Sequence, residues 1–278
     1  MKSKIKKSMI IIIAIVSLLI IVFIAGSINL SSRFHQQVKT LFSLSENISA
    51  NAFSYTQLAG LPAPVQRYFK HVLKEGQPYI SYISLKHDGQ FKTGLDKDWI
   101  DIKGEQYFTA QKPGFIWKGA TAMFTARDMY IGDQGRLVVL LFNVFKVADG
   151  KGENFNEGEL QRWLGENVWF PTNLLPGEHI SWTAINDSVA QLSFNNKGVA
   201  FAYRVSFNGA GEIASMETTR FMEKGVRETW IITLNEYKVF SGVLVPTVCE
   251  VLWRLKKGDY PYAKFHVKEI VYDVPKLF

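Results

Sequence analysis

The first pattern along the chain is an uninterrupted apolar run near its N-terminus. Residues Met9 to Gly26 contain one polar side chain, Ser17, and no charged one. Because about 20 apolar residues in a helix cross a hydrocarbon core, this run predicts a transmembrane helix over residues 9–26. Residues 1–8 contain four lysines. Segments rich in Lys or Arg next to a transmembrane helix usually stay on the cytoplasmic side of the membrane. We therefore expect a cytoplasmic basic tail over 1–8 and an extracytoplasmic chain from residue 27.

Small residues at the end of the run, Ala25-Gly26-Ser27, leave a second interpretation open, a cleaved signal peptide. The run is longer than the roughly 7 to 15 residues of a typical signal core, which favours a retained signal anchor. We expect a single-pass protein of the cytoplasmic (inner) membrane whose C-terminal domain is extracytoplasmic.

Helical periodicity marks three further segments. Ser31 is a candidate N-cap for a helix with one apolar stripe, formed by Phe34, Val38, Leu41 and Phe42. We assign residues 27–57 to this stalk helix and a linker. A second helix is predicted over Pro64 to Leu73, and a third over Asn156 to Asn167. Asn156 and Glu159 have the spacing of a capping box at the start of the third.

From residue 79 the period of the pattern changes to two, which predicts β-strands. Turn sequences rich in Gly, Asn and Asp separate twelve candidate strands: Tyr79 to His87, Trp99 to Phe108, Gly114 to Phe124, Asp128 to Ile131, Arg136 to Val147, His179 to Trp182, Val189 to Phe194, Val199 to Phe207, Glu212 to Met222, Val226 to Leu234, Leu244 to Leu255 and Tyr262 to Tyr272. Short connections predict antiparallel neighbours. The predicted fold class is mainly β with a few helices (α+β), in one extracytoplasmic domain over 58–278.

Composition narrows the class of function. The net charge of +7 would suit a nucleic-acid-binding protein, but four of the positive charges belong to the N-terminal tail. The rest of the chain has a net charge of +3 and no basic cluster, so we expect no nucleic-acid partner. The 20 Phe, 11 Tyr and 7 Trp residues suit an aromatic-rich β domain. One cysteine, Cys249, excludes an intramolecular disulfide, and five scattered histidines form no zinc motif, so we expect no metal and no cofactor.

The segment from Asn156 to Leu175 interrupts the β pattern and concentrates candidate chemistry. Arg162 can form an ion pair with Glu159, three residues before it, or with Glu166, four residues after it. The segment also contains three aromatic residues, Trp163, Trp169 and Phe170. We interpret this helix as closing over a cavity, with a solvated helix face as the alternative. Glu159 and Glu250 are candidates for the carboxylate pair of a glycoside hydrolase, whose carboxyl groups lie roughly 5 to 9.5 Å apart.

Several short motifs stand out between residues 58 and 273. They are Leu61-Pro62-Ala63-Pro64-Val65-Gln66-Arg67-Tyr68-Phe69, Gly158-Glu159-Leu160 with Arg162, Trp169-Phe170-Pro171-Thr172, Gly242, Val245-Pro246-Thr247, and Glu250-Val251 with Trp253. Together they resemble a family of bacterial proteins classed as a domain of unknown function. That resemblance implies no established activity.

The C-terminal third, with Tyr237, Gly242 and Val245-Pro246 before a long strand, resembles the closing strands of lipoprotein carriers of the LolA and LolB type. That resemblance implies a curved antiparallel sheet or half-barrel with covering helices, whose concave side holds acyl chains.

We therefore expect an anchored extracytoplasmic protein that binds a membrane lipid or other hydrophobic ligand in an aromatic-lined cavity. The alternatives are an envelope assembly protein with a protein partner and, less favoured, a carboxylate-dependent hydrolase. We favour binding over catalysis. The candidate ligand-binding residues are Glu159, Arg162, Trp163, Trp169, Phe170, Thr172, Glu250 and Trp253.

Overall fold

A computed structural model describes residues 2–45, 47–223 and 225–278. Met1 of the predicted tail and Glu46 of the predicted linker lie outside the described residues. The helices are α1 (Lys2–Ser43), α2 (Ala63–Val72) and α3 (Glu153–Glu166), and short 3₁₀ helices span Tyr55–Leu58, Asn167–Trp169 and Pro171–Leu174. The strands are β1 (Tyr82–Phe91), β2 (Ile100–Thr109), β3 (Gly114–Ala120), β4 (Phe124–Ile131), β5 (Gln134–Leu141), β6 (Phe145–Lys151), β7 (Ile180–Asn186), β8 (Val189–Asn196), β9 (Val199–Phe207), β10 (Ile213–Glu223), β11 (Val226–Phe240), β12 (Val243–Leu255) and β13 (Gly258–Tyr272).

All thirteen strands of the described chain form one antiparallel sheet, in the order β6-β5-β4-β3-β2-β1-β13-β12-β11-β10-β9-β8-β7. The first and last strands, β1 and β13, pair in its centre, and the two edges, β6 and β7, are consecutive in sequence. Helix α3 connects these edges and contacts β4 and β5 on one side and β9 and β10 on the other. The predicted mainly β fold with an open curved sheet and covering helices is confirmed.

The two faces of the sheet are covered differently. The inner face, which α2 and α3 cover, carries the main hydrophobic core. The outer face is covered in part by the second half of α1, where Phe34, Val38 and Leu41 pack on Tyr107 and Ile116. The predicted apolar stripe of the stalk helix is therefore buried. Ser31 does not cap a separate helix, because α1 continues without a break from Lys2 to Ser43.

Antiparallel pairing places alternate turns at opposite ends of the sheet. The β1–β2, β3–β4, β5–β6 and β12–β13 turns share one end, which we call the proximal end. Gly26 of α1 meets Asn143 of the β5–β6 turn there, and Leu44 lies beside Gly132 of the β4–β5 turn at the distal end. Helix α1 thus runs along the outer face from the proximal to the distal end.

The prediction of one strand over Arg136 to Val147 is wrong, because the chain reverses at Phe142 and Asn143. Both residues adopt left-handed backbone conformations, with φ of 49° and 59°, and β5 and β6 pair across them. Such a turn usually contains Gly, and an apolar residue at this position conceals it from the periodicity of the sequence.

Helix α3 begins three residues before the predicted start, at Glu153. Asn156 is not its cap, because its side-chain Oδ1 accepts a hydrogen bond of 2.8 Å from the backbone N of Gly135 in β5. The predicted capping box with Glu159 is therefore wrong. The side chain of Asn156 instead links α3 to β5 through this hydrogen bond, and the side chain of Glu159 is buried in the interior.

Candidate functional site

A cavity of about 1180 Å³ lies between α3 and the inner face of the sheet. Strands from both halves of the sheet contribute to its wall, so it spans the central β1–β13 pair. The wall is mainly apolar and includes the aromatic residues Phe91, Trp117, Phe124, Phe155, Trp169, Phe221, Trp230, Trp253, Tyr262 and Phe265. Its volume lies above the roughly 300–1,000 Å³ range of pockets for small ligands.

The cavity opens at the proximal end of the sheet. Lining residues at that end are partly exposed, among them Phe124, Leu141 and Val147. Lining residues further along the same wall are buried, such as Asp128, which lies four residues beyond Phe124 on β4. An apolar ligand would therefore enter between the β5–β6 turn and the neighbouring turns.

The floor of the cavity is a buried cluster of charged residues between α3 and the sheet. Arg162 Nη1 donates to Asp128 Oδ2 at 2.5 Å, and Arg162 Nε donates to Glu166 Oε1 at 2.9 Å. Glu166 Oε2 accepts from Gln106 Nε2 at 2.7 Å. On the other side of α3, Arg220 Nη2 donates to Glu159 Oε1 at 3.0 Å.

Among the described residues, two buried carboxyl oxygens of this cluster have no hydrogen-bond partner, Glu159 Oε2 and Asp128 Oδ1. Burial and the neighbouring Asp128 raise the pKa of Glu159 to about 8, which favours its protonated form at neutral pH. Burial also raises the pKa of Glu166.

Aromatic rings enclose both guanidinium groups. The guanidinium carbon of Arg162 lies 4.9 Å from the ring centre of Phe115 and 5.3 Å from that of Trp117, and that of Arg220 lies 4.7 Å from Trp230. Cation–π contacts of this kind strengthen as water is excluded. They stabilise the charged residues that line the cavity against its aromatic walls.

Trp117 is held in place by a buried histidine. Its Nε1 donates to His87 Nε2 at 2.8 Å, so Nε2 must be unprotonated. Burial lowers the pKa of His87 to about 4, which keeps the ring neutral. The proton then lies on Nδ1, which faces the carbonyl oxygen of Asp88 at 3.2 Å.

The structure divides the candidate residues predicted from the sequence. Glu159, Arg162, Trp169 and Trp253 line the cavity. The other three residues of the α3 region are buried in the core behind its wall, namely Trp163, Phe170 and Thr172. Trp163 Nε1 donates to the carbonyl oxygen of Thr109 at 3.0 Å, and the hydroxyl of Thr172 accepts from the backbone N of Ile80 at 3.0 Å. These side chains support the wall rather than face a ligand.

Glu250 is not part of this site. Its neighbours Cys249 and Val251 line the cavity, so Glu250 points to the outer face, where its carboxylate lies 3.8 Å from Lys264 Nζ. Glu159 is on the inner face, and the carboxylate pair considered for glycoside hydrolysis is therefore not formed. Among the described residues there is also no group of three or more potential metal ligands.

Sequence reasoning missed Asp128, Glu166 and Arg220 as members of the site. Asp128 and Arg220 occupy inward positions of strands, next to apolar residues two positions away such as Ala126 and Met222. The signal that identifies them is a charged residue at a strand position that alternation assigns to the buried face. Unpaired charges are rarely buried, so such a residue indicates a charged partner inside the protein.

The fold and the cavity together define a class, a curved antiparallel β-sheet with a long N-terminal apolar helix and a large, mainly apolar cavity with a charged floor. Residues 51–265 match the model of the Family of unknown function (DUF6544), and the chain belongs to that family. The predicted membership of a family without established function is confirmed.

Two solved structures align with most of this chain at low sequence identity. A LolA superfamily protein from Nitrosomonas europaea aligns with a TM-score of 0.42 and 12% identity over 76% of this chain and 93% of its own. A domain assigned as a putative outer membrane lipoprotein-sorting protein, from Vibrio parahaemolyticus, aligns with a TM-score of 0.40 and 9% identity over 69% of this chain and 85% of its own. No curated protein matches the chain.

Proposed function

We propose that this protein is anchored in the cytoplasmic membrane and binds a lipid or another hydrophobic ligand in the cavity beneath α3. The observation that carries the proposal is the size of the chamber together with its aromatic wall. The volume of about 1180 Å³ is large enough for an acyl chain, and the mainly apolar wall favours a hydrophobic occupant.

The charged floor is compatible with an apolar ligand. The guanidinium of Arg162 contacts the carboxyl groups of Asp128 and Glu166, that of Arg220 contacts Glu159, and aromatic rings enclose both guanidinium groups. A hydrocarbon chain can lie against this floor without burying an uncompensated charge.

Two features support a retained anchor rather than a cleaved signal peptide. The large apolar side chains from Met9 to Ile24 are 39% to 64% exposed, which leaves a helix surface suited to lipid. Gly26 packs so closely on the β5–β6 turn that an added Cβ would lie 2.6 Å from Val144 Cγ2. This contact explains why position 26 is a glycine without a signal-peptidase site. The N-terminal lysines favour a cytoplasmic N-terminus.

Photocrosslinking in membranes tests the proposal. The full chain is reconstituted in vesicles of phosphatidylcholine that carries a diazirine on one acyl chain, and the crosslinked peptides are mapped by mass spectrometry. We expect crosslinks to inward residues of β4, β5 and β12 in addition to α1. Crosslinks confined to residues 9–26 would contradict ligand binding in the cavity.

A matched pair of variants sharpens the experiment. Ala126→Trp adds a large ring on the inner face of β4, within the cavity wall, and should reduce the cavity crosslinks severalfold. Gln191→Trp adds the same ring at an exposed position of β8 and should leave them unchanged. An equal response of the two variants would show that the crosslinks do not report occupancy of the cavity.

A further inference from the structure

The turn between β5 and β6 is fixed to the end of the apolar segment of α1. Asn143 Nδ2 donates to Ser27 Oγ at 3.0 Å, and a Cβ on Gly26 would lie 2.8 Å from the carbonyl oxygen of Asn143. Because α1 is one unbroken helix of 42 residues, no hinge separates this contact from the predicted transmembrane segment. The turn therefore lies where α1 leaves the hydrocarbon core.

Large apolar side chains surround this contact and are exposed. Phe145 is 62% exposed, Val147 60%, Phe142 46%, and Met123 of the neighbouring β3–β4 turn 58%. Residues 141–148 contain one charged residue, Lys146, and its ammonium group lies 2.7 Å from the carboxylate of Asp149. A soluble protein rarely leaves such a patch in water.

We propose that this proximal tip, formed by Met123 and the β5–β6 turn with Phe142 and Phe145, inserts into the extracytoplasmic leaflet of the same membrane that α1 spans. The inference rests on the retained anchor of the proposed function. The occupant of the patch is a lipid bilayer because the patch lies directly beside the helix segment that enters one.

Membrane insertion of the tip places the mouth of the cavity on the bilayer. Leu141 and Val147 flank the turn and also line the cavity, and Phe124 pairs with Leu141 across β4 and β5. An acyl chain would then pass from the leaflet into the chamber without crossing water.

Depth-dependent fluorescence quenching tests the insertion. The variants Phe145→Cys and Val239→Cys are labelled with an environment-sensitive fluorophore in the full chain, reconstituted in phosphatidylcholine vesicles that contain spin-labelled lipid. Val239 is the control, since it is 63% exposed but lies near the β11–β12 turn at the distal end. Cys249 is buried, and desolvation raises the pKa of its thiol, so it does not compete for the label.

We expect a blue-shifted emission and at least twofold stronger quenching at position 145 than at position 239, and the same result for Met123→Cys. Equal emission and quenching at 145, 123 and 239, in protein that floats with the vesicles, would overturn membrane insertion of the tip and leave the anchor intact. Protein that does not float would overturn both proposals. Quenching at 145 without acyl crosslinks in the cavity would overturn ligand binding alone.

Discussion

Glu159 shows how a single residue can couple the candidate site to pH. Its carboxyl group is buried, one oxygen accepts a hydrogen bond from Arg220, and burial together with the neighbouring Asp128 raises its pKa to about 8. In the unfolded chain a glutamate ionises near pH 4.3. Folding therefore favours the protonated form, so its contribution to stability is complete below the unfolded pKa and is lost as pH rises through 8.

We expect the free energy of unfolding of the wild-type protein to fall by about 2 kcal/mol between pH 6.5 and pH 8 because of Glu159. His87 has the opposite effect, because its lowered pKa of about 4 makes the free energy of unfolding rise with pH. That rise ends near the unfolded pKa of about 6.5, so it does not overlap with the decrease caused by Glu159. Denaturant titrations of the full chain in detergent measure this slope. Glu159→Gln should remove this part of the decrease, whereas Glu157→Gln, at the surface of the same helix, should retain it. A decrease that is the same size after Glu159→Gln would contradict the raised pKa of Glu159.

At the scale of elements, α3 is held across the sheet by ion pairs of two kinds. Arg162 pairs with Asp128 and Glu166, and all three side chains are 12% exposed. Arg227 of β11 pairs with Glu157 of α3 at 2.6 Å, but its side chain is 40% exposed. Removing one partner of a buried pair leaves an uncompensated charge in the interior, whereas water compensates at the surface.

Arg162→Met should therefore destabilise the protein by about 3–5 kcal/mol, and Arg227→Met by less than about 1 kcal/mol. Equilibrium unfolding of both variants at pH 7 provides the comparison. Similar losses for the two substitutions would show that the floor of the cavity is more hydrated than its burial indicates.

At the scale of the whole molecule, α1 connects the apolar segment rigidly to the β domain. Its residues 9–24 are apolar and exposed, and its second half packs on the outer face through Phe34, Val38 and Leu41. Gly26 lies between the two halves, where the helix approaches the β5–β6 turn most closely. The orientation of the cavity relative to α1 depends on this contact and on the buried stripe beyond it.

Gly26→Leu should separate the turn from the helix, because even the Cβ would lie 2.6 Å from Val144 Cγ2. A disulfide between Ser27→Cys and Asn143→Cys reports the contact, since the native side chains are hydrogen-bonded at 3.0 Å. We expect efficient crosslinking in this double variant and a severalfold loss when Gly26→Leu is added. Ala14→Leu, in the exposed part of α1, should have no effect. Undiminished crosslinking after Gly26→Leu is added would contradict the tight contact.

Periodicity along the chain was sufficient for the elements whose signals are local. The apolar run, the face of α2 with Val65, Tyr68 and Phe69, and strand β9 with its predicted bounds Val199–Phe207 all follow from it. Antiparallel neighbours follow from short turns. Local signals failed where a residue serves a distant contact, as at Phe142 in the β5–β6 turn and at Asn156 in α3.

Folding of the whole chain was needed to establish which residues share the cavity. Asp128, Glu159 and Arg220 are far apart in sequence and meet because α3 crosses the inner face between the two halves of the sheet. Glu250 was separated from them by the alternation of one strand, which directs adjacent side chains to opposite faces. Periodicity defines the buried side of each element, but the partner across the core depends on pairing order and on where the connecting helix crosses. These are properties of the folded chain as a whole.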